Sequence, residues 1–427
     1  MRIRLLPLAF AICCAGGLSP LVAQSDRPAC AQDNAGLTLP AGFCALVFAD
    51  NIGAARHLAV APNGDVFAAV RQSRGSSAPP TDFVVLRDSD GDGVADVERR
   101  VGSSTGTGIR LVDGYVLFGT DAAILRYPWR AGALEPSGPP DTLVQGLPDC
   151  CGHAAKGFAV GLDGDLYVNV GSPSNACQQG RGRQQGVMGQ DPCPQLETRA
   201  GTWRFAGDRL HQSQADGIHF ATGLRNTFAL AVHPQSGLLY GVQHGRDQLA
   251  QLWPDLYTEE QSAEKPGEEF VQISAGDDFG WPYCYYDPEL QRKVLAPEYG
   301  GDRSAQGRCA DKKAPLMALP AHWAPEALLF YTGSQFPRAY AGGAFVAFHG
   351  SWNRAPLPQG GFNVVFIPFR GNEPAGAYQV FADGFRSETA EGGGNHRPAG
   401  LAQGPDGSLY VSDDQGGRIY RIVYRGN

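Results

Sequence analysis

The chain of 427 residues contains 57 glycines and 31 prolines, about one residue in five, while only 18% of its residues are charged. Glycine and proline disfavour helix interiors, and disordered chains and coiled coils need far more charge, so these classes and long helical bundles are excluded. With a hydrophobic fraction of 43%, the composition indicates a turn-rich globular protein with enough apolar material for a core.

The first 25 residues have the features of a secretory signal. Two arginines precede an apolar run, and Ala23-Gln24-Ser25 offers a small-x-small cleavage site. Glycines and a proline interrupt the run before it reaches the ~20 apolar residues of a transmembrane helix. We therefore expect a protein without a membrane span, periplasmic or secreted, with one domain over residues 26–427. Its 33 basic and 43 acidic residues argue against a nucleic-acid partner.

Eight cysteines remain after the signal, and an even number in an exported chain predicts disulfides. The pairs Cys177/Cys193 and Cys284/Cys309 each bracket a polar, loop-like stretch, so we predict these two bonds. The adjacent residues Cys150-Cys151 could bond to each other or pair elsewhere. No Cys-x-x-Cys-His motif is present, which excludes covalently bound c-type haem.

One pattern recurs six times along the chain: a short apolar strand, a glycine turn and a second strand. The copies span residues 57–70, 109–120, 157–172, 228–245, 327–351 and 399–414. Six hairpins separated by insertions predict an all-β, six-bladed β-propeller with long inter-blade loops, rather than an all-β sandwich. Strands near 43–49 and 418–424 are expected to share one blade and close the ring. Long inserts at 173–200 and 252–320 are expected to crowd one face, where loops carry function.

An acidic loop follows the first repeat. Carboxylates alternate around glycines in the stretch DSDGDGVAD (88–96), a pattern that converges several oxygens on one hard cation. The loop is similar to the first half of an EF-hand, but Arg99 occupies the twelfth position instead of a glutamate. We predict a structural Ca²⁺ site, against the alternative of a solvated acidic turn. Its predicted ligands are Asp88, Asp90, Asp92 and Asp96.

Polar residues cluster where predicted strands begin or end. His153 precedes the third repeat and could act as a general base, although a single histidine is more often structural or exposed. Further polar clusters lie at 223–226 with 243–247, at 349–354 and at 395–398. Their separate arginines favour an anionic ligand at the propeller mouth, although any one of them could form a surface ion pair. Dinucleotide, phosphate-loop and Gly-x-Ser-x-Gly motifs are absent from the sequence.

Several of these clusters belong to longer motifs. The motifs are GLRN (223–226), Gly-Trp-Pro (280–282) after a Gly-Glu-Glu run, FYTGSQFP (330–337), HGSWNR (349–354) and HRPAGL (396–401). With them, nearly all of the mature chain resembles the glucose/sorbosone dehydrogenase family, and its sorbosone-dehydrogenase-like branch more than the soluble glucose dehydrogenases. These quinoproteins are six-bladed propellers that use pyrroloquinoline quinone and Ca²⁺. The resemblance implies oxidation of a sugar or a sugar-derived aldehyde or alcohol.

The resemblance also implies roles for single residues. His153 falls at the family's catalytic base, which removes the substrate's hydroxyl proton while hydride passes from that carbon to the quinone. The family's cofactor calcium would lie near His244-Gly245, apart from the acidic loop. The residues implied to contact the cofactor are Arg225, Asn226, Gln243, Asp247 and Arg397, with Arg354 added by neighbourhood alone.

The chain departs from the glucose enzymes at two positions. Ser172 stands where they have the aspartate that orients the base, and Ala399 replaces a second arginine, so the sugar is not implied. The family's lysine over the quinone has no clear match here. Without its own haem, the enzyme would need a separate electron acceptor, a cytochrome or a quinone. A calcium-dependent lactonase and a non-catalytic binding propeller are the alternative functions.

Overall fold

The computed structural model describes residues 28–72, 79–179, 182–386 and 395–426. The predicted signal lies outside these residues. Six four-stranded antiparallel blades follow one another along the chain, and a short parallel strand, Asp277–Asp278, extends the third. Within each blade the four strands are adjacent in the order in which they occur, except that the first strand of the chain completes the last blade. The prediction of an all-β, six-bladed propeller is confirmed, and each of the six repeats forms the innermost hairpin of one blade.

The first strand, β1 (Phe43–Ala49), belongs to the last blade. Blade 1 consists of β2 (Ala54–Val60), β3 (Val66–Arg71), β4 (Phe83–Arg87) and β5 (Val97–Val101). Blade 2 consists of β6 (Gly106–Val112), β7 (Tyr115–Thr120), β8 (Ile124–Pro128) and β9 (Asp141–Val144). Blade 3 consists of β10 (Phe158–Val160), β11 (Leu166–Val170), β12 (Gly201–Phe205) and β13 (Ile218–Thr222).

Blade 4 carries the largest insertions. Its four strands are β14 (Ala229–Val232), β15 (Leu239–Gln243), β16 (Glu268–Ile273) and β20 (Met317–Leu319). Between β16 and β20 lie the short strands β17 (Asp277–Asp278), β18 (Cys284–Asp287) and β19 (Arg292–Leu295). Blade 5 contains β21 (Pro325–Phe330), β22 (Ala344–Phe348), β23 (Asn363–Ile367) and, after the hairpin β24 (Phe369–Arg370) and β25 (Glu373–Pro374), β26 (Gln379–Ala382). Blade 6 contains β27 (Pro398–Gln403), β28 (Leu409–Asp413) and β29 (Ile419–Tyr424), with β1 as its outer strand.

The ring closes through the two ends of the described chain. Strand β1 pairs antiparallel with β29, from Phe43 opposite Tyr424 to Ala49 opposite Ile419, as predicted. The inner hairpins turn at glycines with a left-handed backbone, such as Gly64 (φ 93°) and Gly164 (φ 86°), a conformation that a side chain disfavours. Apolar side chains from the two flanking blades fill each inter-blade space, which makes six core layers around the axis.

The helical segments are short and lie outside the blade strands. The helices are α1 (Leu249–Leu252) and α2 (Glu259–Glu264), and the 3₁₀ turns are Asn34–Gly36, Pro194–Glu197, Gln214–Asp216, Pro297–Tyr299, Gly307–Cys309, Arg338–Tyr340 and Trp352–Arg354. The predicted insert at 252–320 is interrupted by β16, a blade strand, because its apolar residues complete the sheet of blade 4. No helix within the described residues is long and apolar enough to cross a bilayer.

Three disulfides bond six of the eight cysteines. The predicted bonds Cys177–Cys193 and Cys284–Cys309 are confirmed, and each holds a loop of an insert. The third bond, Cys30–Cys44, fastens the segment before β1 to that strand and was not predicted. The adjacent pair Cys150-Cys151 is exposed and not bonded.

Phe43 packs between the last two blades and provides a test of ring closure. It is 7% exposed and meets Phe336 and Phe381 edge to face, with centroids 4.8 and 5.0 Å away. We expect Phe43→Ala to lower the free energy of unfolding by about 3–5 kcal/mol, since it leaves a cavity at the closing strand. Equilibrium urea denaturation measures the loss. The matched control Leu162→Ala, at a residue 67% exposed, should change it by less than about 0.5 kcal/mol. Equal losses in the two variants would contradict the packing argument.

Candidate active site

A cavity of about 400 Å³ opens at the end of the propeller where the inner strands β10, β14 and β27 begin. Its volume lies in the range of roughly 300–1,000 Å³ that is typical of small-molecule sites. Loops from blades 3 to 6 contribute its walls. The polar and aromatic residues that line it include His153, Arg225, His244, Asp247, Glu268, His322, His349, Trp352, Asn353 and Arg397.

His153 is held at the cavity by backbone contacts. Its Nδ1 lies 2.8 Å from the carbonyl oxygen of Ser172 and 3.2 Å from the Ser172 hydroxyl, which itself donates to Ser174 O. Because the carbonyl can only accept, Nδ1 carries the proton and Nε2 keeps its lone pair. No hydrogen bond within the described part of the chain involves Nε2. The backbone of His153 is left-handed (φ 52°), a costly conformation that concentrates at functional sites.

Burial and a neighbouring cation keep His153 neutral. Loss of hydration and the charge of Arg225 lower its pKa from 6.5 to about 3, while Asp247 opposes the shift. The other charged or titratable neighbour is His244, whose own pKa burial lowers to about 4. At neutral pH the side chain is therefore a proton acceptor with a fixed tautomer.

A buried ion pair joins the third and fourth blades beside His153. Arg225 donates to Asp247 Oδ2 (2.9 Å), to Gly245 O (2.7 Å) and to Asn175 Oδ1 (3.2 Å). Burial opposes ionisation of Asp247, yet the charges of Arg225 and Arg183 hold its pKa below the ordinary value. The Nε of Arg225 is buried and has no hydrogen-bond partner among the described residues.

A second charged network crosses the propeller axis below the cavity. Arg56 of β2 bonds to both Glu326 of β21 and Asp414, which follows β28. Glu326 also accepts from Nε2 of His349 (2.7 Å). The network therefore links blades 1, 5 and 6 through side chains that are almost fully buried.

Two groups at the cavity wall have unused hydrogen-bonding capacity. The Nδ1 of His349 is buried without a partner within the described ranges. Arg397 donates from Nε to Asp414 Oδ1 (2.8 Å), and this is the only hydrogen bond of its guanidinium to the described residues. With 36% of its side chain exposed, Arg397 offers its remaining N–H groups to a ligand.

The loop predicted to hold a cofactor calcium lies beside Arg225. His244 contacts Pro325 O through Nε2 (2.8 Å), and the carbonyl of Gly245 accepts from Arg225. Glu268 supports the loop by accepting from Gly245 N (2.6 Å). Burial raises the pKa of Glu268 to about 8, so this carboxyl is largely protonated at neutral pH. A calcium ion at His244-Gly245 stays a prediction.

Of the six predicted cofactor residues, three line the cavity, two lie behind it and one, Arg354, lies elsewhere. Arg225, Asp247 and Arg397 line the cavity with His153. Asn226 and Gln243 lie behind it, where Asn226 accepts from Asn169 and Gln243 accepts from the backbone of Arg225.

Arg354 is not brought to the cavity. Its guanidinium donates to the carbonyl oxygens of Ala263 and Ala321, because the Trp352–Arg354 turn directs it towards α2. Sequence reasoning did not assign Arg56, Glu268, His322 or Glu326 to the site. Arg56 and Glu326 stand inside apolar strands, and Glu268 was noted only as part of the Gly-Glu-Glu run.

The acidic loop forms the turn between β4 and β5, away from the cavity lining. Side-chain oxygens of Asp88, Asp90 and Asp92 lie within 4.8 Å of one another, the only such group of three among the described residues. Asp96 instead accepts from the amide of Ser89 (2.8 Å) and from its hydroxyl. The geometry thus gathers three of the four predicted ligands.

Comparison with known proteins places the chain in a family. The TrAA12-like family model matches residues 37–425. A protein of Borreliella burgdorferi is 31% identical over 207 residues, 48% of each chain. The pyrroloquinoline quinone-dependent pyranose dehydrogenase of Coprinopsis cinerea is 32% identical over 169 residues, 34% of this chain and 22% of that protein. The chain thus spans less than half the length of these curated relatives.

Solved structures share the fold at lower identity. The calcium structure of the family AA12 carbohydrate-active enzyme of Trichoderma reesei superposes with a TM-score of 0.72 at 17% identity, covering 91% of this chain and 97% of that one. The holo pyrroloquinoline quinone domain of the Coprinopsis pyranose dehydrogenase gives 0.72 at 18% identity, covering 93% and 98%. The predicted resemblance to soluble quinoprotein dehydrogenases is confirmed, while the sorbosone-like branch stays a prediction.

The neutral, buried state of His153 predicts a pH dependence of stability. In the unfolded chain this histidine takes up its proton near pH 6.5, but in the folded protein only near about 3. Acidification therefore favours the unfolded state between these values, by about 2–3 kcal/mol at pH ~4.5. In His153→Gln, the loss of unfolding free energy between pH ~7.5 and ~4.5, measured by urea denaturation, should shrink by that amount. The exposed control His211→Gln should keep the wild-type loss; an unchanged loss in His153→Gln would contradict the assignment.

Proposed function

The chain belongs to the TrAA12-like family, and on this basis we propose that it is an exported dehydrogenase that uses pyrroloquinoline quinone and Ca²⁺. The proposed substrate is a sugar or a sugar-derived aldehyde or alcohol. One observation carries the proposal: His153, whose Nε2 has no partner among the described residues, shares a cavity with the buried Arg225, whose Nε–H has none there either.

The residues present fit the proposed cofactor. An ortho-quinone with three carboxylates needs cationic donors and a cavity of small-molecule size. Among the described residues, the buried Nε–H of Arg225 has no partner, and Arg397 has N–H groups at the wall that make no hydrogen bond. Both belong to the lining of the same cavity of about 400 Å³. Guanidinium groups bind carboxylates through paired hydrogen bonds, which matches this donor set.

We propose that Arg225 and Arg397 hold the cofactor carboxylates. Gln243 fixes the backbone of Arg225 from behind, and Asn226 accepts from Asn169 at the next position. Carbonyl oxygens near His244-Gly245 would bind the calcium ion, since Ca²⁺ prefers oxygen ligands. When bound, the quinone would supply a two-electron acceptor.

The chain's own residues accept the substrate's proton and orient the groups that react. His153 accepts the hydroxyl proton of the substrate at Nε2, because the Ser172 carbonyl fixes the other nitrogen as a donor. The Ser172 carbonyl thus orients the His153 ring, as an aspartate does in the glucose enzymes. Trp352 presents an exposed indole at the rim (63%), a broad apolar face that suits the carbon–hydrogen face of a sugar ring. Electrons would leave for a separate cytochrome or quinone.

The alternative of a calcium lactonase has less support. Its site needs acidic and amide side chains that converge on the axis around a metal. Asp247 and Glu268 line the cavity, but the only group of three metal-binding side chains in the described ranges is the acidic loop, outside that lining. The carboxylate of Asp247 is instead engaged by Arg225, and the carboxyl group of Glu268 accepts from the backbone amide of Gly245.

Reconstitution tests the proposed activity. The mature protein with Ca²⁺ and pyrroloquinoline quinone should bind the quinone, as followed by absorbance, and reduce an artificial dye with at least one sugar of a panel. Arg397→Gln should weaken quinone binding by about tenfold or more, since it removes a charged donor. His153→Gln should leave binding nearly unchanged but lower kcat by about 10²–10⁴-fold.

Arg126→Gln is the matched control, because Arg126 pairs with Asp141 on the outer strands of blade 2, a blade that contributes no residue to the cavity lining. It should retain wild-type binding and turnover. Absence of both quinone binding and dye reduction would defeat the proposal. Full turnover in His153→Gln would defeat only the assignment of the base.

We propose that the acidic loop binds a structural Ca²⁺ ion through Asp88, Asp90 and Asp92, with Asp96 ordering the turn. Ligand binding to the folded state stabilises by RT ln(1 + [L]/Kd), so Ca²⁺ should raise the thermal midpoint of the cofactor-free protein. In Asp90→Asn most of this rise should vanish, while the exposed control Asp208→Asn should keep it. An unchanged rise in Asp90→Asn would show that the loop does not bind the ion.

A further inference from the structure

The pair Cys150-Cys151 is unexplained by the proposed function. Three disulfides use the other six cysteines of the described chain, so no other cysteine remains as a partner there. The two thiols are exposed, and their sulfur atoms lie 2.8 Å apart. The pair stands two positions before His153, in the same loop.

A neighbouring arginine contributes to a difference in pKa between the two thiols. Arg199, which is buried, donates from one Nη to Cys150 O (3.2 Å) and from the other towards Cys150 Sγ (3.5 Å). The neighbouring Cys151 thiol and Arg199 lower the pKa of Cys150, whereas the pKa of Cys151 is raised by the hydrogen bond to Cys150. One sulfur is therefore the better nucleophile, and the other stands ready to attack it once it has reacted.

The backbone connects this pair to the proposed base. Cys151 and His153 both have left-handed backbones (φ 73° and 52°), with Gly152 between them. The amide of Gly152 points to Pro173 O (3.4 Å), next to the Ser172 carbonyl that orients His153. A covalent link across Cys150-Cys151 would remove rotational freedom from the segment that presents His153.

We propose that Cys150 and Cys151 form a reversible disulfide, a redox modification site that fixes the His153 loop when oxidised. Consecutive Cα atoms are about 3.8 Å apart, below the usual span of about 4.4–6.8 Å for a disulfide, so such a bond is readily reduced. Exposure adds to this lability, whereas the Cys177–Cys193 and Cys284–Cys309 bonds are buried. The part of this inference that concerns His153 rests on its proposed role as the base. Formation of the disulfide does not depend on that role.

The oxidant is a small-molecule disulfide such as oxidised glutathione. The Cys150 thiolate attacks one of its sulfurs, which expels one thiol and leaves a mixed disulfide at Cys150. Deprotonated Cys151 then attacks Cys150 Sγ and expels the second thiol. Two electrons pass from the cysteine pair to the oxidant, and one disulfide is exchanged for another.

Peptide mass analysis tests the bond without reference to activity. The mature protein is equilibrated in a series of reduced and oxidised glutathione mixtures, alkylated with iodoacetamide and cut with trypsin. The peptide 131–156 contains both cysteines and no other. We expect the oxidised end to give this peptide two hydrogen masses below the dithiol, and the reduced end to give two carbamidomethyl groups, while the three other disulfides stay intact. A peptide that remains doubly alkylated, or bonded to glutathione, at the oxidised end would overturn the proposal.

Three variants sharpen this test. Arg199→Gln should slow the first attack several-fold because Cys150 loses its cation, and Arg199→Lys should restore part of the rate. The double variant Cys150→Ser with Cys151→Ser should be insensitive to glutathione. Unchanged exchange rates in Arg199→Gln would overturn the assignment of Cys150 as the nucleophile.

The effect on His153 has its own readout. In the reconstituted protein, reduction should lower kcat about tenfold or more with little change in KM, because small displacements of a reacting group are costly. In NMR spectra of labelled histidine, the ring signals of His153 should shift and sharpen on oxidation, because the covalent link removes rotational freedom from its loop. The double serine variant should match the reduced wild type in both measurements. A His153 spectrum identical in the two redox states would overturn the positioning role and leave the bond itself standing.

Discussion

The buried ion pair between Arg225 and Asp247 is the contact on which the cavity depends. Each partner reaches further: Arg225 to the Gly245 carbonyl and Asn175, and Asp247 to Arg183 and the amide of Asn353 (2.6 Å). Loops of blades 3, 4 and 5 are thereby fixed to one another at a single point. Removal of one partner would leave an uncompensated buried charge, which typically costs about 3–5 kcal/mol. The pair therefore stabilises the wall of the cavity and keeps the arginine aimed beside His153.

The closed ring explains why residues so distant in sequence can meet there. Each blade contributes an inner strand to the axis, and the strands all begin at the same end of the propeller. Arg56 and Glu326 are 270 positions apart and still share an ion pair, because β2 and β21 are both inner strands, on the two blades that flank blade 6. The strand pair β1–β29 holds this geometry, since it joins the first and last described strands in one sheet.

Local patterns were sufficient to predict the blades but not the contacts across the axis. A glycine turn between two apolar runs depends only on neighbouring residues, so all six inner hairpins and the closing strand could be identified from the sequence. Arg225, Asp247, Arg397 and His153 stand in loop motifs and were found, whereas Glu326 lies within an apolar strand and was not. Arg354 shows the limit of reasoning by neighbourhood: it follows Asn353, which contacts Asp247, yet its own side chain turns to Ala263 and Ala321.

The electrostatics of the cavity couple anion binding to the basicity of His153. Burial is the main reason that its pKa is low, and the charge of Arg225 is the next. An anionic group bound to Arg225 would offset that charge and make His153 a stronger proton acceptor, while the Ser172 carbonyl keeps its tautomer unchanged. A backbone carbonyl carries no net charge, so it orients the ring without raising its basicity as an aspartate would. An anionic ligand at Arg225 would therefore contribute negative charge beside the base that the Ser172 carbonyl does not supply.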